Sequence, residues 1–128
     1  GGVVRSSSDG SQISYLAKDE NGIQQVFLIS PLGENPDQLT EHTSSVQSGV
    51  RWSPDNKFVY YIWDNSIVVC EVSDRPFEKR FRRLTAPSEV ELSNIVLSND
   101  GKTIAFNRPV AVEGSKEGKK QIFYIKLD

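Results

Sequence analysis

Only one cysteine and one histidine occur in 128 residues, and both scarcities narrow the chemistry. One thiol makes neither an internal disulfide nor a cysteine-rich zinc site, and it leaves the redox compartment open. Cys70 lies in the apolar run Ile67-Val68-Val69-Cys70 and reads as a small buried hydrophobe. A lone imidazole is a poor start for a metal centre, which needs three or four converging ligands, so neither a metal nor a cofactor is expected. No Gly-x-Ser-x-Gly elbow is present to carry a nucleophilic serine. No apolar stretch approaches the length of a bilayer span, so no membrane insertion is expected. Positive charge is not in excess either. The formal net charge is -2, without the basic footprint of a nucleic-acid or anionic-membrane binder. The start, Gly1-Gly2-Val3-Val4-Arg5, lacks the regions of a signal peptide. The chain is expected to be a piece of a larger protein.

What is present is a repeat. Val3-Val4-Arg5-Ser6-Ser7-Ser8-Asp9-Gly10 aligns with Gly49-Val50-Arg51-Trp52-Ser53-Pro54-Asp55-Asn56 and with Asn94-Ile95-Val96-Leu97-Ser98-Asn99-Asp100-Gly101. The aspartates at 9, 55 and 100 set a period of about 45 residues. Behind each turn follow Ile13-Ser14-Tyr15, Val59-Tyr60-Tyr61 and Ile104-Ala105-Phe106. Further on come Gln25-Val26-Phe27-Leu28-Ile29, Ile67-Val68-Val69-Cys70 and Gln121-Ile122-Phe123-Tyr124-Ile125. A fourth segment, Gln38-Leu39-Thr40 and Arg83-Leu84-Thr85, appears in the first two copies only.

Each copy therefore holds three or four short β-prone segments separated by Asp-Gly, Asp-Asn or Asn-Gly turns, the pattern of a β-meander, and helix is nearly excluded. The signature suits a tight turn without any ligand: Pro presets φ, Asp accepts backbone N–H groups, and Gly or Asn tolerates positive φ. Runs apolar at every position, such as Val26 to Ile29 and Ile122 to Ile125, need cover on both faces, which stacked units provide. The expected fold is all-β, three four-stranded antiparallel β-propeller blades with the last one incomplete, a partial propeller. One domain spans 1–128, with blade 1 about 1–46, blade 2 about 47–91 and blade 3 about 92–128.

Leu39-Thr40 followed by Val50-Arg51-Trp52-Ser53-Pro54-Asp55-Asn56-Lys57 resembles the WD-like Trp-Ser-Pro-Asp-Gly repeat of TolB-type propellers. That repeat also occurs in prolyl-oligopeptidase-type peptidases and in oligogalacturonate lyases. Only the second copy keeps the Trp, with Ser6 and Leu97 in its place elsewhere, and Asn56 replaces the Gly there. TolB-type rings commonly have six blades, so the resemblance implies an open arc. Its outer faces should expose apolar surface, and two copies are expected to pair as a homodimer into a six-bladed arrangement. The resemblance also implies a periplasmic or otherwise extracytoplasmic location.

His42, in Glu41-His42-Thr43-Ser44-Ser45, falls between a strand end and the next inner strand, at loops that often line a propeller mouth. It reads as a solvated loop histidine, without a catalytic role. The lyases of this repeat class use several histidines, so their activity is not carried over. Glu78-Lys79-Arg80-Phe81-Arg82-Arg83 interleaves cations with an aromatic, yet it reads as the outermost strand of the second blade. There Lys and Arg discourage edge pairing, and no nucleic-acid partner is expected. Gly114-Ser115-Lys116-Glu117-Gly118-Lys119-Lys120 misses the phosphate-loop spacing and reads as a long polar hairpin loop. Trp52 sits at the signature position and reads as core. Trp63 ends a strand before Asp64-Asn65 and reads as packed, with partial exposure at a rim as the other option.

The chain is thus expected to be a non-catalytic scaffold that binds a protein, peptide or glycan through loops held on rigid strands. Glu41, His42, Trp63, Asp64 and Asn65 are the candidate binding residues. The alternative is the propeller portion of a peptidase or polysaccharide lyase whose catalytic residues lie outside this chain.

Overall fold

The Ser-x-Asp corners fold the same way three times. In the computed structural model, which describes residues 4–110 and 119–127, the hydroxyls of Ser7, Ser53 and Ser98 donate to Oδ1 of Asp9, Asp55 and Asp100. The same carboxylate oxygens accept the backbone N–H of Ser11, Lys57 and Lys102. Each serine oxygen in turn accepts the N–H of Gln12, Phe58 or Thr103, which closes the corner. Gly10, Asn56 and Gly101 take the left-handed position at φ 73°, 63° and 73°, where only Gly or Asn sits at low cost. The hydrogen bonds, chiefly from the Ser11 amide at Asp9 and from the Ser53 and Ser98 hydroxyls at the other two, hold these carboxyls below their ordinary range.

From each corner a meander unrolls. The first sheet has the order β1 (Arg5–Ser6), β2 (Ile13–Lys18), β3 (Gln24–Ile29), β4 (Asp37–Gln38). The second has β5 (Arg51–Trp52), β6 (Phe58–Trp63), β7 (Ser66–Glu71) and β8 (Phe81–Arg83). The third has β9 (Ser93–Leu97), β10 (Thr103–Val110) and β11 (Lys119–Lys126). All neighbours are antiparallel. Asp64 and Asn65, at φ 50° and 51°, make the two-residue turn that pairs Trp63 with Ser66, as right-handed strand twist favours.

The sheets stack face to face, with β5 beside both β1 and β9. Alternate residues of β6 point opposite ways. Val59, Tyr61 and Trp63 join Val26 and Leu28 of the first sheet, and Leu39 just beyond it, in one core, whereas Tyr60 and Ile62 join Ile95, Ile104 and Phe106 of the third in another. The middle sheet is therefore covered on both faces. Each fully buried aliphatic side chain in it contributes about 1.5–3 kcal/mol. Trp52 is core, as its signature position implies.

Three expectations need correction. Helix is present as one turn, α1 (Phe77–Arg80), so Glu78, Lys79 and Arg80 precede the outer strand and only Phe81, Arg82 and Arg83 lie on it. The turn forms because Phe77 buries its ring, and Arg80 donates to the carbonyls of Arg75 and Leu39. The second concerns Ile122 to Ile125. Phe123 and Ile125 pack on the second core, but Ile122 and Tyr124 are 62% and 69% exposed because no described sheet covers that face. The third, at His42, is described below. Of the polar stretch read as a hairpin loop, 114–118 lie outside the described residues, and Lys119 and Lys120 open β11.

Candidate functional site

Gln25 organises the crossing from the first sheet to the second. Wholly buried on β3, its Oε1 accepts from Thr40 Oγ1 at 2.7 Å and from the His42 amide at 3.1 Å. Its Nε2 donates to the His42 carbonyl at 2.9 Å and to Asp19 Oδ2 at 3.1 Å. A buried amide with all these groups satisfied holds the backbone in one path. The path turns the His42 ring inward.

His42 is therefore not a solvated loop residue; it is 4% exposed. Its ring stacks on the Trp63 indole at a centroid distance of 4.0 Å and meets Phe77 and Phe81 edge-on at 4.9 Å each. Nε2 lies 2.8 Å from the Tyr61 hydroxyl. Burial, reinforced by the nearby Arg83 guanidinium, pushes its pKa down to about 4, so the ring is neutral near pH 7. Its Nδ1 has no hydrogen-bond partner among the described residues. The histidine was legible as a loop residue but not as core, because its aromatic neighbours come from β6, α1 and β8.

Trp63 is packed, and its Nε1 donates to the Ser44 carbonyl at 3.0 Å. Arg83 lies over the indole at 4.5 Å and pairs with Asp64 at 2.7 Å. Asn65 exchanges two hydrogen bonds with Gln47. Of the five candidates, Glu41, His42 and Trp63 converge on one surface depression of about 360 Å³, completed by Thr43, Phe77, Glu78 and Phe81. Asp64 and Asn65 do not line it; they secure the turn behind Trp63. A second depression, of about 450 Å³, lies across Glu41, His42 and Thr43 and is bordered by Asp19 and Glu20.

Phe77, Glu78 and Phe81 were missed as site residues. They belong to the run read as an edge strand, where a helical turn of four residues leaves no periodicity to detect. Cys70 is buried and its thiol is pushed up to about 11 by burial, the opposite of an activated nucleophile. Among the described residues no three His, Cys, Asp or Glu side chains are grouped to hold a metal ion.

No protein-family model matches the chain. It is 34% identical over 104 residues to the uncharacterized protein YidR of Escherichia coli (strain K12), a match covering 80% of this chain and 24% of that protein. In structure it resembles TolB from Acinetobacter baumannii, with TM-score 0.73, 21% identity, 98% of this chain and 30% of that one. A protein assigned as TolB from Agrobacterium tumefaciens gives TM-score 0.69, 26% identity, 94% of this chain and 40% of that one. The tricorn protease gives TM-score 0.69 at 11% identity, with 96% of this chain on 12% of the protease. The chain thus spans about a quarter of the length of the curated relative that it matches.

Proposed function

We propose that this segment of TolB-type β-propeller blades is a non-catalytic interaction scaffold within a larger extracytoplasmic protein, and that it binds its partner at the seam between the first and second sheets. The extracytoplasmic part rests on the likeness to TolB. The binding part rests on one observation: Gln25 and the aromatic cluster hold the Glu41-His42-Thr43 segment rigidly beside two surface depressions. Rigid strands carrying exposed loop groups are what a recognition surface requires. A non-catalytic role is supported by the use made of the lone imidazole, whose Nε2 meets Tyr61 and whose face meets Trp63.

The likeness to the tricorn protease keeps the second reading in view, a propeller portion serving a peptidase whose catalytic residues lie elsewhere. Random-peptide display against the immobilised chain tests the first reading. Enrichment of a peptide family whose binding is lost in a Glu41→Ala/Thr43→Ala variant is the expected result. Failure to enrich any peptide, or enrichment indifferent to those changes, overturns it.

A further inference from the structure

The two seams between sheets are not filled alike. Counted from the turn aspartates, Phe106 and Arg108 stand in the third sheet where Tyr61 and Trp63 stand in the second, and Tyr61 and Trp63 are the residues of the second sheet that receive the His42 ring in the first seam. That seam owes its ring to Gln25, which holds the His42 backbone through both its amide atoms. Ser66 occupies the same step of the second sheet, since it pairs with Trp63 as Gln25 pairs with Ala17. Its short side chain is taken up within the sheet, donating to the Trp63 carbonyl and accepting from Arg83. The crossing that follows, Ala86-Pro87-Ser88-Glu89-Val90-Glu91, contains no aromatic side chain to fold inward.

A cleft of about 330 Å³ is left in the second seam, walled chiefly by Ala86, Pro87, Leu92, Phe106 and Phe123, with Arg108 also lining it. Roughly 150 Å³ is enough to admit a benzene ring to an apolar cavity, so a single or fused ring has room here. Phe106 and Phe123 lie nearly parallel, 5.9 Å between centroids and 22° between planes. A ring set beside them gains the kind of aromatic contact that Trp63, Phe77 and Phe81 give His42. The size, at the lower end of the roughly 300–1,000 Å³ range of small-molecule sites, suits one small molecule rather than a run of peptide.

Arg108 fixes the sign of that molecule. Among the described residues the ion pairs are Glu71 with Arg75 and Asp64 with Arg83, so no described carboxylate neutralises Arg108, and none lines the cleft. The guanidinium stands 6.0 Å from the centroid of Phe123, at the limit of cation–π reach, and the residue is exposed. Its planar fork is therefore open to a carboxylate, which it matches with two parallel hydrogen bonds. We propose that this cleft binds a small aromatic carboxylate, the ring against Phe106 and Phe123 and the carboxylate on Arg108. The site lies in the other seam from the one assigned above and does not rest on that reading.

The test uses the ¹⁵N-labelled chain and phenylpropionate, with phenylpropionamide as the ring without the charge and hexanoate as the charge without the ring. Saturable shifts of the Ala86, Ser88 and Arg108 amides are expected with phenylpropionate, and weaker binding of both controls. Arg108→Gln should weaken phenylpropionate about fivefold, the effect of one exposed ion pair. Ala86→Trp, also at an exposed position, carries a ring of the chain's own into the cleft and should abolish saturable binding. Absence of saturable shifts, shifts located elsewhere, equal binding of either control, or binding unchanged in either variant overturns the proposal. So does seating of the peptide acetyl-Gly-Gly-Phe by its free carboxylate end where phenylpropionate does not bind. Each of these results leaves the reading of the first seam untouched.

Discussion

The imidazole of His42 lies face to face with the indole of Trp63, 4.0 Å between ring centroids and 19° between planes. One residue comes from the crossing between sheets and the other from the end of β6, so the stack locks the first sheet to the second. Arg83 covers the indole as well, and such a cluster has no room for a second positive charge.

That exclusion predicts an acid-sensitive fold. The folded pKa of His42, about 4, lies below its ordinary 6.5, so the unfolded chain takes up the extra proton between those values. Stability from this group is complete above about pH 6.5 and is lost as pH falls towards 4, by roughly 1 to 3 kcal/mol in all. The lowered carboxyls of Asp9, Asp19, Asp55 and Asp100 join in only at the acid end of that window, since stability from them starts to be lost as pH nears their ordinary 3.8 and goes on falling through their lowered folded values. Urea midpoints at pH 7.5, 5.5 and 4.5 should fall for the native chain and stay nearly level for His42→Gln. Equal slopes for the two would refute the assignment.

Ser53 is buried and serves as both donor to Asp55 and acceptor from the Phe58 amide. Ser53→Ala removes both bonds and should cost about 1–2 kcal/mol, read as a lower denaturation midpoint at unchanged slope. An unaffected midpoint would mean that the corner is held by backbone geometry alone.

Gly101 combines a φ of 73° with a close neighbour. A Cβ built there would stand 2.6 Å from Pro54 Cδ, in the corresponding corner of the second sheet. Gly101→Ala therefore meets backbone strain and a ring that must move, and should destabilise by about 1–3 kcal/mol. Gly10→Ala shares the φ but meets nothing within 4 Å, so it should cost less in the same thermal melt. Equal losses would show that the contact between corners is unimportant.

The outer face of the third sheet predicts association. Val96, Ile122 and Tyr124 are 54%, 62% and 69% exposed, and the register sets Val96 and Tyr124 on either side of Ala105 on one face. We expect concentration-dependent self-association in sedimentation velocity, reduced by Ile122→Lys with Tyr124→Lys. A monomer at every concentration would discount the pairing of two copies into a six-bladed arrangement.

Much of the fold was legible because its determinants are local. The Ser-x-Asp spacing places a hydroxyl, a carboxylate and a left-handed residue within one corner, so three copies of the motif announced three copies of the turn. Asp64-Asn65 announced its hairpin for the same reason. The candidate site was legible only in part. Glu41, His42 and Trp63 were singled out and do converge, but the ring of His42 was expected in solvent. Its burial depends on Gln25, Tyr61, Phe77 and Phe81, none of them a neighbour in sequence.

The order of residues alone thus determined the period, the strand content and the corners, since each needs only groups a few positions apart. Which seam keeps an open cleft, which imidazole stays neutral and which sheet face goes uncovered were decided when the sheets stacked. Burial and electrostatic environment are properties of surroundings drawn from distant segments, and only the folded arrangement brings those segments together.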